Sequence, residues 1–267
     1  MGLFDKKYCS ICNSKIGLLG NRKLEDGNLC GDCAKKLSPY FSDRKNSTVA
    51  EIQEQLDYRE ANKEAVKSLH ITNTLGEQYK IYIDEDAQKF VVSSDRKWID
   101  SNPDVIDFSM VTGVNFNISE SKTEEKKDDG NGNRISYNPP RYRYRYDFYI
   151  TLTVNHPYFS EMKFRVNSRT VEIEHDGRRA YDPFDNTQYV NYNKMCEEIK
   201  STLTNAHKSV RQRAAAEMEA ARRAEEAAKA AAIEAAKPKP AVVCPHCLAT
   251  TIPDANGRCE YCGSAVN

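Results

Sequence analysis

Apolar positions follow three regimes along the chain. Behind Thr48-Val49-Ala50-Glu51, a capping-box sequence, Val49, Ile52 and Leu56 recur at helical spacing. This predicts a connector helix over residues 48–69, with Glu51, Glu54, Arg59 and Lys63 on a solvated opposite face. Between Tyr79 and Tyr181 the period changes to two, with β-branched and aromatic enrichment. Residues 79–83 and 90–93 read as a hairpin around Asp84-Glu85-Asp86, and strands over 111–118, 142–154, 161–166 and 170–174 follow. Asp176-Gly177 marks a tight turn. The expectation is an antiparallel sheet or small β-barrel. The third regime starts near Gln188 or Tyr189, where Tyr192, Cys196, Ile199, Leu203, Ala206 and Val210 form one helical seam. That seam accounts for Cys196 as a core residue.

Two stretches break these regimes. Residues 119–140 contain Lys122-Thr123-Glu124-Glu125-Lys126-Lys127-Asp128-Asp129-Gly130 and carry too little apolar content to fold alone, so they are expected to form a mobile insertion. Past Arg211 the seam fades into Ala-Glu-Arg sequence with candidate ion pairs Arg213/Glu217, Glu219/Arg223 and Glu225/Lys229. Such a helix needs no tertiary support until Lys237-Pro238-Lys239-Pro240 ends it, and it would span roughly 40 Å. A semi-rigid spacer is the expectation, with a coiled-coil dimer through residues 188–236 as the alternative.

Composition narrows the class. Only 39% of residues are hydrophobic, so part of the length is not core, and the formal net charge of zero gives no general pull toward nucleic acid or anionic membrane. No apolar stretch has secretory or membrane-spanning length. A soluble cytoplasmic protein is expected, and paired cysteines there are more often metal ligands than disulfides.

Eight of the nine cysteines fall into Cys-x-x-Cys pairs. Cys9, Cys12, Cys30 and Cys33 have the spacing C-x2-C-x17-C-x2-C; Cys244, Cys247, Cys259 and Cys262 have C-x2-C-x11-C-x2-C. Each such turn aims two sulfurs at one point, and two turns complete the tetrathiolate cage that zinc prefers. Two structural zinc ions follow, with Cys196 left as a free thiol. Disulfides would need an export signal, and a thioredoxin-type dithiol would need a surrounding βαβ unit; neither is evident. The pair Cys30-Gly31-Asp32-Cys33 runs into a short helical start, so knuckle, hairpin and helix should follow in treble-clef order. Each end module is too small for a sufficient apolar core, so its fold should depend on the metal.

The expected plan is α+β and multidomain: a four-cysteine zinc module over 1–46, a connector helix over 47–70, a β domain with capping helix over 71–210, a helical spacer over 211–240, and a zinc ribbon over 241–267.

Three resemblances bear on this plan. Tyr8-Cys9-Ser10-Ile11-Cys12-Asn13-Ser14-Lys15-Ile16-Gly17, with Leu29-Cys30-Gly31-Asp32-Cys33-Ala34, resembles an N-terminal zinc-binding domain of unknown function found in uncharacterised proteins of Gram-positive bacteria. The resemblance covers roughly the first fifth of the chain and implies zinc but no activity. Cys244-Pro245-His246-Cys247 with Cys259-Glu260-Tyr261-Cys262-Gly263 is similar to small C-terminal zinc ribbons of bacterial proteins, with Leu248 in place of the usual glycine and His246 pointing away from the metal. The middle resembles a bacterial pleckstrin-homology-like domain in strand order, in its capping helix, and in Asp104-Val105-Ile106-Asp107-Phe108 leading into a strand.

Catalytic chemistry finds no footing. A closed four-cysteine site leaves zinc no open position. His70, His156, His175, His207 and His246 are scattered, and no P-loop, GxSxG or GxGxxG is present. Arg141-Tyr142-Arg143-Tyr144-Arg145-Tyr146 would put its arginines on one strand face and its tyrosines on the other. It reads as a half-buried strand, its arginines answered by Asp147 and the acidic insertion. The expected function is a non-catalytic adaptor that presents strand edges to another protein. The alternative is nucleic-acid binding through the ribbon with Arg141, Arg143, Arg145, Arg178 and Arg179.

Overall fold

The computed structural model describes residues 6–235, 237 and 240–266. It divides into two units, residues 1–211 and 212–267.

The first unit opens with two short antiparallel pairs, β1 (Lys7–Tyr8) with β2 (Lys15–Ile16) and β3 (Arg22–Lys23) with β4 (Asn28–Leu29), followed by the single-turn helix α1 (Gly31–Ala34). Helix α2 (Val49–Lys67) starts with the expected capping box. Thr48 Oγ1 accepts from Glu51 N at 3.3 Å, and Glu51 Oε2 accepts from Thr48 N at 2.7 Å.

A four-stranded antiparallel sheet follows in the order β5 (Asn73–Leu75), β6 (Lys80–Asp84), β7 (Lys89–Ser93), β8 (Ile106–Asp107). The second sheet is built around one long strand. After β9 (Val111–Asp128), β10 (Arg134–His156) pairs along one edge with β9. Along its other edge it pairs first with β12 (Val171–His175) and then with β11 (Phe159–Arg165). Helix α3 (Thr187–Ala235) buries Tyr189, Cys196, Ile199 and Leu203, the expected seam, against the core. The expected proline stop lies partly outside the described residues.

The two sheets and the start of α3 share one core, whose largest buried side chains include Tyr146, Phe90, Phe148, Ile150 and Leu152. They do not close into a barrel. The chain passes from β8 to β9 through the 3-10 turn Phe108–Met110, so the hydrogen-bond ladder stops there instead of bending onward.

Residues 119–140 correct the sequence reading a second time. Instead of a separate insertion, they form the outer part of the β9–β10 hairpin, with Ser119 opposite Asp147 and Asp128 opposite Arg134. Cross-strand pairs replace the missing apolar contacts. Arg143 bonds Glu125 at 2.7 Å and Lys122 sits 3.9 Å from the Tyr142 ring centroid; within β10 itself, Arg141 lies 4.3 Å from the Tyr137 ring centroid. At the base, the Asp176-Gly177 turn lies so close that a Cβ on Gly177 (φ +71°) would meet the Pro140 carbonyl oxygen at 2.2 Å. Only glycine fits there.

Beyond Val210, every described side chain of α3 is exposed, and Arg223–Glu219 and Lys229–Glu225 close as expected at 2.6 Å. The second unit contains the pair β13 (Val242–Val243) with β14 (Thr250–Thr251), followed by a single antiparallel bridge between Arg258 and Ala265. No helix among the described residues is long and apolar enough to cross a membrane.

Candidate metal centres

Three of the four Cys-x-x-Cys turns are built alike. In each, the first cysteine's N–H reaches a carbonyl five residues on: Ser14 from Cys9, Ala249 from Cys244 and Ser264 from Cys259, all at 2.9 Å. In each, its own carbonyl accepts from the residue after the second cysteine: Asn13, Leu248 and Gly263, at 2.8–2.9 Å. Those three residues all have positive φ, +56°, +63° and +68°. The chain thereby doubles back and turns both sulfurs inward. The fourth pair uses a helix start instead. Cys30 caps α1, and its Sγ accepts from Cys33 N at 3.4 Å.

These turns bring the eight predicted ligands into two clusters, Cys9/Cys12/Cys30/Cys33 and Cys244/Cys247/Cys259/Cys262, with all sulfurs in a cluster within 4.8 Å of one another. Sulfur–sulfur separations are 3.7 Å for Cys12–Cys30, 3.6 Å for Cys244–Cys262 and 3.7 Å for Cys247–Cys259. A tetrahedron with metal–sulfur bonds of about 2.3 Å has edges of about 3.8 Å. A disulfide would draw two sulfurs to about 2.05 Å, and all nine cysteines are free. Both sets therefore fit a four-coordinate metal ion. His246, exposed, stands outside its cluster as expected.

The electrostatics agree. Hydrogen bonds from the Ser14 hydroxyl and N–H hold the Cys12 thiol down to about 6, and the Ser264 N–H and hydroxyl do the same for Cys262. Burial pushes Cys9 and Cys259 up, but backbone N–H groups outweigh it, those of Cys12, Cys30 and Ile11 for Cys9 and those of Cys262 and Tyr261 for Cys259, and both end below the usual thiol value. Cys33 is raised, first by burial and then by the sulfurs around it. For Cys247 the Ala249 N–H lowers the value, yet neighbouring sulfurs help carry it to about 12. Four sulfurs so close cannot all hold negative charge without a cation among them. Cys196 is the contrasting case. Buried on α3 without charge partners of opposite sign, it is pushed up to about 12 and is a core thiol.

The N-terminal module is fixed to the rest of its unit by a buried polar junction that the sequence reading missed. Arg59, expected in solvent, is buried and pairs with Asp104 at 2.7 Å, with side-chain exposures of 8% and 0%. Asp104 also accepts from Ser38 Oγ at 2.7 Å, and Arg59 Nε donates to the Lys36 carbonyl at 3.3 Å. Asn62 donates to the Pro103 carbonyl and accepts from Val105 N. The buried stripe of α2 is thus Ile52, Gln55, Arg59, Asn62 and Val66, helical in spacing but mostly polar.

The Arg/Tyr strand resolves as a half-buried strand. Tyr144 and Tyr146 are buried, Tyr144 stacked on Tyr181 at 3.7 Å between centroids and Tyr146 edge-on to Tyr189. Arg143 pairs with Glu125 and Glu174, and Arg145 with Glu172.

Residues 7–55 match a family described as a domain of unknown function, DUF4428. The match takes in the whole first cluster and the start of α2 and stops before Arg59. No curated protein and no solved structure matches the chain.

Proposed function

We propose that this chain is a non-catalytic, zinc-dependent scaffold that holds two small four-cysteine modules, a treble clef at the N-terminus and a zinc ribbon at the C-terminus, as binding surfaces for another protein in the cytoplasm. The observation that carries this reading is the gathering of four protein sulfurs in each cluster; an ion held by four thiolates keeps no open position for a reacting water or substrate. Zinc is the metal these all-thiolate tetrahedral sets suit best. The β unit between them has the sheet-and-capping-helix plan of a pleckstrin-homology-like domain, without barrel closure. The exposed stretch of α3 is a spacer, its side chains engaged with one another.

The two-stranded ribbon at residues 242–251 and the edge strand β5 offer unpaired backbone to a partner strand. Nucleic-acid binding through residues 141–146 has the burial of Tyr144 and Tyr146 and the pairing of Arg143 and Arg145 against it. Crosslinking of the metal-loaded chain in its native host, read by mass spectrometry, should recover a protein that the Cys259→Ser variant fails to capture. Recovery of no protein above background would sink the scaffold reading. Salt-dependent binding to oligonucleotides would replace it with the nucleic-acid one.

A further inference from the structure

Among the described residues of the first unit, the most exposed large apolar side chains sit on the tip of its four-cysteine module. Between β2 and β3 the chain reverses through Gly17-Leu18-Leu19-Gly20, closed by Gly20 N donating to Gly17 O at 3.0 Å. The two corner positions, which favour polar residues or glycine in turns, are here Leu18 and Leu19, 85% and 94% exposed. Directly behind them the strands are basic. Lys6, Lys7, Lys15, Arg22 and Lys23 are all exposed, and none forms an ion pair among the described residues. The β1–β2 register sets Lys7 opposite Ile16 and Tyr8 opposite Lys15, which places Lys7 and the half-exposed Tyr8 beside the turn. Of the nearby carboxylates, Asp26 is committed to the N–H of Val49 at the start of α2.

We propose that this turn docks on an anionic lipid bilayer, with Leu18 and Leu19 entering the headgroup–acyl boundary and the five basic side chains meeting the acidic headgroups. Three features choose the occupant. The tip is a tight turn whose two leucines stand almost fully in solvent, so it suits a deformable surface better than a shaped pocket. Its charge is complementary to phosphate and carboxylate headgroups. Tyr8 and the long lysine stems are amphipathic in the way interfacial side chains need to be. The metal cluster and the buried Ile16 give the turn a rigid mount, so little ordering is lost on insertion. The turn lies on the N-terminal module that the scaffold reading also offers to a protein, but it uses neither β5 nor residues 242–251, the strand edges named for that partner, so its failure would leave the scaffold reading standing.

The test is sedimentation of the full zinc-loaded chain with vesicles of phosphatidylcholine alone and of phosphatidylcholine with phosphatidylglycerol. The chain should bind the phosphatidylglycerol vesicles, and added salt should release it. Leu18→Ser with Leu19→Ser should weaken binding about tenfold or more. Arg22→Glu with Lys23→Glu should do the same, and both variants should retain two metal equivalents, since neither touches a ligand. Failure of the native chain to bind phosphatidylglycerol vesicles, equal binding to both lipids, or undiminished binding by the double serine variant would each overturn the proposal.

Discussion

Around the N-terminal sulfurs, Ile16, Leu24, Leu29, Leu37 and Ile52 are buried together, and Ile52 comes from α2. Around the C-terminal sulfurs the buried apolar company is Val266, with Val242 partly buried beside it. The ligand chemistry is the same and the support is not. The first module has an apolar floor supplied by a helix and is tied down by the Arg59–Asp104 pair. The second has two knuckles, a two-stranded ribbon and almost nothing else. The apolar packing around the two clusters is therefore unequal, and a bound metal should matter more to the second module than to the first.

Metal removal should expose the contrast most strongly. Structural zinc contributes on the order of 10–16 kcal/mol in small peptides at neutral pH. Under strong chelation, amides of residues 241–266 should exchange at unfolded rates, while those around Leu24 and Leu29 keep part of their protection. Hydrogen exchange by mass spectrometry checks this, and equal loss at both ends would break the comparison. Cys30→Ser and Cys259→Ser should each lose one metal equivalent, independently, by elemental analysis.

The next effect lies at the junction. Asp104→Ala leaves Arg59 charged, buried and unpaired, and strands the Ser38 hydroxyl. A cost of about 3–5 kcal/mol in urea unfolding of the first unit is expected. Metal release from the second module should not change. Ile52→Ala is milder, about 2–4 kcal/mol from the cavity it opens. It should speed metal loss from Cys9/Cys12/Cys30/Cys33 and leave the other cluster as it was, measured by competition with a chromogenic chelator.

The smallest effect tests the knuckles themselves. Leu248 holds φ +63° without the excuse of glycine, whereas Asn13 at +56° is a residue that tolerates that region. Leu248→Gly should slow metal loss from the C-terminal cluster by the equivalent of about 1 kcal/mol, while Asn13→Gly changes its own module by a few tenths. A larger gain at Asn13 would show that backbone strain is not what separates the two.

The two four-cysteine clusters were legible because cysteine pairs carry their geometry in their spacing, and α2 announced its start through Thr48 and Glu51. Arg59 was not legible. A charged residue on a helix reads as solvated, and the partner that makes burial tolerable stands 45 positions further on. The strand pairing of residues 119–140 was missed for a related reason. Glu125 and Lys122 look like disorder when read along one strand; their partners Arg143 and Tyr142 lie on the next. The barrel expectation followed from strand count, but closure is decided at one corner, the turn at Phe108–Met110, which periodicity does not describe.

Asp104 also sets a timetable. The residues it joins, Ser38 and Arg59, leave the ribosome before it does, and at about 5–20 residues per second the 45-residue gap after Arg59 takes about 2–9 s to translate. During that interval the N-terminal module can already have captured its metal, but the arginine that anchors it has no counter-charge. The nascent chain therefore passes through a stage in which Ser38 and Arg59 are free of the ribosome and their shared partner is not, and the emergence of one aspartate ends it.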